Sequence, residues 1–225
     1  MTSFTTITVD GPDAVETLMA RRKQFPTTGE YPFLIGDEEG LDRVNESAEC
    51  EDRSVEAILE ASETVDLDGW IAGRRAEVAE YGFTEAEVQG TWPAEVPGVG
   101  ELSLHRDILT GDIWPKVILG LASLKQPWEL PAVLKYGGWN DCPAPEGHCA
   151  FFRKWQQEYG AQIAGVSGDV IECVVSNPPL DQETAYELAW EQYWYCADIV
   201  EQGCETVSDL AATVLESSYW YFWWD

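Results

Sequence analysis

The chain is poor in positive charge: 13 of its 225 residues are Lys or Arg, against 41 Asp and Glu, a formal net of −28. The shortage runs the whole length, with 25 acids and 10 bases in residues 1–125 and 16 and 3 in residues 126–225. No acidic tail accounts for it, so the folded body itself must be negative. Without a basic stripe to release counterions, nucleic acid is not an expected partner, and anionic membranes are repelled. Long hydrophobic runs are also missing. Apolar stretches such as residues 117–122 fall far short of the roughly 20 residues that span a bilayer. The opening MTSFTTITVDG has neither a basic n-region nor an apolar h-region, so a secretory signal is not expected. Six Cys in such a chain read as thiols, and a cytoplasmic location is expected.

Catalytic signatures are absent too. There is no Gly-x-Gly-x-x-Gly, no phosphate-loop Gly-x4-Gly-Lys-Ser/Thr, no His-Glu-x-x-His, no Gly-x-Ser-x-Gly and no Cys-x2-Cys. Nucleotide, zinc-protease and serine-hydrolase readings lose their usual support, and no cofactor or metal is expected. No internal repeat or low-complexity tract stands out.

What the chain does have is aromatic mass: 11 Trp, 9 Tyr and 7 Phe. Buried rings each remove about 150–250 Å² from water, so they should dominate the core. Periodicity predicts a strand over residues 4–9, then a helix after Pro12 with Val15, Leu18 and Met19 inward. A second strand covers residues 31–35, and Asp37 caps a helix carrying Leu41 and Val44. Val55, Ile58 and Leu59 mark a further helix, and Trp70, Ile71, Val78 and Tyr81 another. Residues 83–100 read as a loop. A hairpin through Thr110-Gly111-Asp112 should join strands 102–108 and 113–122, with Pro115 suggesting an edge position or a bulge early in the second strand. Residues 132–136 read as a strand, and Pro145 opens a helix that Gly160 ends. A hairpin follows around Ser167-Gly168-Asp169, then an Asp181-capped long helix, a short helix near residues 208–215, and the closing YWYFWWD. Six aromatics in a row make both faces of that last strand apolar, which predicts a place in the sheet interior.

The stretches LPAVLKYGGWNDCPAPEGHCAFFRKWQQEYGA, GDVIECVV with the following PP, EQYWYCADIVEQG and WYFWWD occupy residues 130–225. Together they resemble a bacterial family of uncharacterised proteins, domain of unknown function 4253. YPFLIGDEEGLDRV and the helix around Trp70 resemble the more variable leading half of such proteins. The resemblance implies a shared fold and no established activity. In the family Pro often stands where this chain has Ala197, which implies a softer break before Asp198 here.

Several side chains could carry chemistry. Cys142, His148 and Cys149 lie close in sequence, but their spacing matches no common zinc pattern. A Cys–His nucleophilic pair is the next option, with Cys142 or Cys149 beside His148 and Asp141 or Glu146 orienting the ring. A small core thiol beside a capping-region histidine is the plainer reading. Glu172 interrupts the apolar run 170–175, so it either faces solvent, pairs with Lys135 or Arg153, or serves as a pocket carboxylate with a raised pKa. Trp139, Asn140 and Asp141, on a loop opened by two glycines, could form a recognition surface, or Trp139 could plug the core.

The fold expected is α/β: a mixed β-sheet with helices on both faces, the final aromatic strand inside it, and a smaller N-terminal α/β lobe. Residues 1–100 would form that lobe and residues 101–225 the main domain. The function expected is a non-enzymatic binding protein whose acidic surface engages a basic protein partner, in the manner of an immunity-type inhibitor. Solubility alone or adaptation to high salt would also account for the acidity. The alternative function is an enzyme or small-molecule binder with a cleft near Trp139, Asp141, His148 and Glu172.

Overall fold

The computed structural model describes residues 4–96 and 100–225. Its six strands are β1 (Phe4–Asp10), β2 (Glu30–Gly36), β3 (Lys116–Ser123), β4 (Gln162–Val166), β5 (Val170–Val174) and β6 (Tyr219–Trp223). They form one mixed sheet in the order β1-β3-β2-β4-β5-β6. All neighbours are antiparallel except β2 and β4, which meet in parallel through Leu34 and Gly165. Strands from the first hundred residues and from the remainder therefore share a single sheet. β3, from the later part, is inserted between β1 and β2.

Helices cover both faces. On one face α1 (Ala14–Thr28) lays Ala14 and Leu18 against Leu34, Val117, Leu119 and Ala164. On the other face the large aromatic core packs under α2 (Glu38–Glu49), α6 (Leu130–Leu134), α7 (Pro145–Tyr159), α8 (Gln182–Tyr195) and α9 (Val207–Val214). Farther out on that side lie α3 (Val55–Glu63), α4 (Leu67–Glu80) and α5 (Glu85–Gln89). Local chemistry sets the helix ends. Asp37, Ser54, Asp66, Asp181 and Thr206 each accept a backbone N–H at an N-terminus, and Gly160, at φ 62°, closes α7.

Five expectations are corrected. β6 is an edge strand, not an interior one: Trp220, Phe222 and Trp224 enter the core, while Tyr221 on the opposite face is 42% exposed. One apolar face is enough to hold it, because the other is only half covered. β3 is central despite Pro115. That proline precedes the strand, where its missing N–H breaks no ladder bond and its carbonyl accepts from Gly11 N at 3.1 Å. Residues 132–136 belong mostly to α6, because Pro131 sits in a first turn that needs no N–H and Lys135 ends it at φ 53°. Burial on all sides of α6 hides any period. The expected strand 102–108 is an irregular arm that keeps one bridge, Arg106 to Ile113. The stretch read as the loop 83–100 contains α5, and its Pro97 and Gly98 lie outside the described residues. No helix of the described residues is long and apolar enough to cross a membrane.

Candidate binding cleft and the buried histidine cluster

The parallel pair β2 and β4 sits mid-sheet, and crevices form where strands of this kind end and the chain turns away. At their carboxyl ends lies a cleft of about 420 Å³. β2 ends at Gly36, whose φ of 104° strains any residue with a side chain, and a Cβ there would press on the Leu104 carbonyl at 3.0 Å. Asp37 follows and caps α2 by accepting from Gly40 N at 2.9 Å. One turn on, Arg43 pairs with Glu39 at 2.7 Å and with Asp169 at 3.8 Å, reaching across to the β4–β5 turn. Gly168 of that turn lies flat against the Arg43 side chain. Asp169 also accepts from Trp223 Nε1 at 3.2 Å, which ties the end of β6 to the cleft wall.

The arm of residues 101–114 forms the roof. Its turn is held by Asp107, which accepts from Leu109 N at 2.8 Å and Thr110 N at 2.9 Å; those bonds keep its carboxyl below the usual range. Ile108 and Leu109 at the tip are 85% and 92% exposed. Arg106 pairs with Glu101 at 3.4 Å, and Trp114 and Tyr221 supply aromatic wall. Two guanidiniums, carboxylates and aromatic surface thus meet in one depression, suited to holding a mixed polar and apolar group.

Glu172 anchors the arm. It is 1% exposed, and it does not pair with Lys135 or Arg153. It accepts from Ser103 N at 2.6 Å, Ser103 Oγ at 2.5 Å and Leu104 N at 3.3 Å. Burial raises its pKa, and those three bonds partly oppose the rise. Lys135 instead donates to the Glu51 carbonyl at 2.5 Å, and Arg153 to the Ser62 carbonyl at 2.6 Å while lying over Trp128. Burial also lowers the His105 imidazole on the arm.

The remaining predicted residues lie elsewhere. His148 is fully buried in α7, its Nδ1 2.6 Å from Tyr195 Oη and its Nε2 3.3 Å from Cys142 Sγ. Tyr136, Tyr195 and Trp224 wall the ring at centroid distances of 5.4–5.5 Å. Burial pushes its pKa down to about 3, so the imidazole is neutral, and burial pushes the Cys142 thiol up. A Cys–His pair with both members uncharged and sealed from solvent has no nucleophilic thiolate. Cys149 packs with Ile58 and Ala132 instead, its thiol raised to about 12. Glu146 bonds Arg53 at 2.8 and 2.9 Å rather than orienting the ring.

The 137–143 loop closes over this cluster. Gly137 adopts φ 111°, and a side chain there would collide with the Pro143 carbonyl and the His148 ring. Trp139 is half-buried, edge-on to Tyr136 at 4.9 Å. Asn140 donates to the Asp225 carbonyl at 2.5 Å, and Asp141 pairs with Arg74 at 3.0 Å. Trp139, Asp141, His148 and Glu172, near which a cleft is expected from sequence, each face different partners. None of the four lines the 420 Å³ cleft, because His148 and Glu172 point into separate packed layers. Sequence reading missed Ser103, Arg106 and Trp114. The available signal was Glu172 itself, since a carboxylate inside an apolar strand requires a donor to cover it. Among the described residues no three His, Cys, Asp or Glu side chains are grouped to hold a metal ion.

Residues 118–225 match the family model described as a domain of unknown function, DUF4253. No curated protein and no solved structure matches the chain.

Proposed function

We propose, for a chain whose C-terminal part belongs to that domain family, that the protein is a cytoplasmic, non-enzymatic binding protein that engages a basic protein partner through its acidic surface. An immunity-type inhibitor is the kind of protein this describes. One observation carries the reading: the surface carboxylates are largely uncompensated. Among the described residues, ion pairs engage eleven of the 41 acids. Residues 37–95, which hold α2–α5, carry 18 acids against 4 bases. A field of one sign over such a layer speeds encounter with a basic partner and rejects acidic competitors. Burial of His148 and Glu172, and thiols raised by burial, also favour binding over catalysis.

The test is affinity capture from the cells that make the protein, beside a Glu56→Lys, Glu60→Lys, Glu63→Lys variant altered at exposed positions of α3. A basic protein should be retained by wild type at low salt. It should be released near 1 M salt, where the Debye length is about 3 Å, and bind the variant about tenfold or more weakly. Retention indifferent to both changes would sink the reading. A second reading, a small-molecule binder, is favoured by the cleft at the carboxyl ends of β2 and β4. It puts recognition away from α3, so charge reversal there would leave it intact.

A further inference from the structure

A second cavity, of about 290 Å³, opens on the α1 side of the sheet, at the start of β4 and so at the opposite end of that strand from the cleft above. It shares no lining residue with that cleft. Met19, Val174 and Tyr219 give it apolar wall, and Met19 is 37% exposed.

Its charge is unlike the rest of the molecule. Four carboxylate residues, Asp37, Glu39, Asp107 and Asp169, line the cleft above, whereas among the described residues no Asp or Glu lines this cavity. Its one ionised side chain is Arg22, which stands between Arg21 and Lys23 on α1. Among the described residues none of these three bases forms an ion pair. Remote acids weigh little there, since charges beyond about 8 Å are screened at physiological salt. Arg22 is half-buried and lies over the Tyr31 ring at 4.9 Å, which fixes the plane of its fork. Nη1 donates to the Ile163 carbonyl at 2.8 Å and Nη2 to Gln162 Oε1 at 2.6 Å, so three of the five guanidinium N–H groups stay free. Ser176 and Ser218, both exposed, add hydroxyl donors to the lining.

We propose that this cavity binds a small organic monocarboxylate. The carboxylate accepts from the free N–H groups of Arg22, with the serine hydroxyls as further donors, and the apolar body lies against Met19, Val174 and Tyr219. One guanidinium offsets one negative charge, which favours a monoanion over a phosphate dianion. The site is independent of the basic-partner reading and stands or falls without it.

3-Phenylpropionate and 3-phenylpropanamide test it, since they share a shape and differ in charge. The chain has two methionines, so the Met19 methyl is read in ¹H–¹³C spectra and assigned by its loss in Met19→Leu. The acid should shift that methyl in a saturable way, with the amide binding about tenfold more weakly. Arg22→Gln should weaken the acid about tenfold and leave the amide unchanged. An Arg21→Gln, Lys23→Gln variant should weaken the acid less than about twofold. Equal binding of acid and amide would overturn the proposal, as would a Met19 methyl that ignores the acid. A tenfold loss in the Arg21, Lys23 variant would overturn it too, because the attraction would then belong to the helix surface. If Arg22→Gln does not fold, the two compounds on wild type and on the flanking variant decide.

Discussion

His148 shows what burial does to an ionisable side chain. Its ring meets the Tyr195 hydroxyl, the Cys142 thiol and aromatic rings, and a hydrogen bond to the Pro143 backbone only partly offsets the hydration an imidazolium would lose. The folded pKa of about 3 lies below the ordinary 6.5, so below pH 6.5 the unfolded chain binds the proton that the folded one refuses. Stability should therefore fall as pH drops from 6.5 toward 3, by roughly 1.4 kcal/mol per unit from this residue. Glu172 has the opposite sign: its raised pKa lets the folded state take up a proton first, adding stability on acidification. His148→Asn removes only the first effect, so its melting temperature should depend less steeply on pH between about 6 and 4 than that of wild type. Thermal unfolding across that range checks this, and an identical slope would contradict a neutral, proton-refusing histidine. The nearness of Cys142 to His148 was legible from a six-residue spacing and a proline-opened helix. Tyr195, which bonds the ring, was not, because packing of α8 against α7 brings it there.

At the level of elements, alternation explains how β6 tolerates an edge. Trp220, Phe222 and Trp224 project into the core, where Phe222 stacks on Trp155 at 5.4 Å with an interplanar angle of 1°. The ends of the strand are blunted against further pairing. Ser217 Oγ donates to the Tyr219 carbonyl at 2.8 Å, and Cys196 Sγ donates to the Trp223 carbonyl at 3.0 Å. Glu172 is the buried side chain that hydrogen-bonds the start of the 101–114 arm, beside the packing of Leu102, Leu104 and Trp114. Glu172→Ala strips the acceptors from Ser103 N and Leu104 N, and each orphaned donor costs about 1–3 kcal/mol. Amide exchange through residues 103–114 should accelerate by about tenfold or more, with β1 and β3 still protected. Hydrogen-exchange mass spectrometry reads this directly. Unchanged protection of the arm would show that Glu172 does not hold it.

For the whole molecule the dominant fact is a net charge of −28 with few compensating pairs. Self-repulsion of that size opposes the compact state, and salt screens it. Raising salt from about 20 to 500 mM should lift the melting temperature by about 3 °C or more. A flat or falling melting temperature would mean that the exposed ion pairs, such as Lys116–Asp10 and Lys154–Glu158, outweigh the repulsion.

The amino-acid order alone determined the α/β class, most helix starts, the turns near Gly111 and Gly168, and the acidic exterior. These rest on local quantities: capping side chains, period, glycine freedom and charge count. Tertiary structure decided that β3 lies between β1 and β2, that β6 lies at an edge, and that Glu172 meets Ser103. Each depends on which apolar face finds a cover, and covers come from segments dozens of residues away. A residue's own neighbours in sequence carry no record of them.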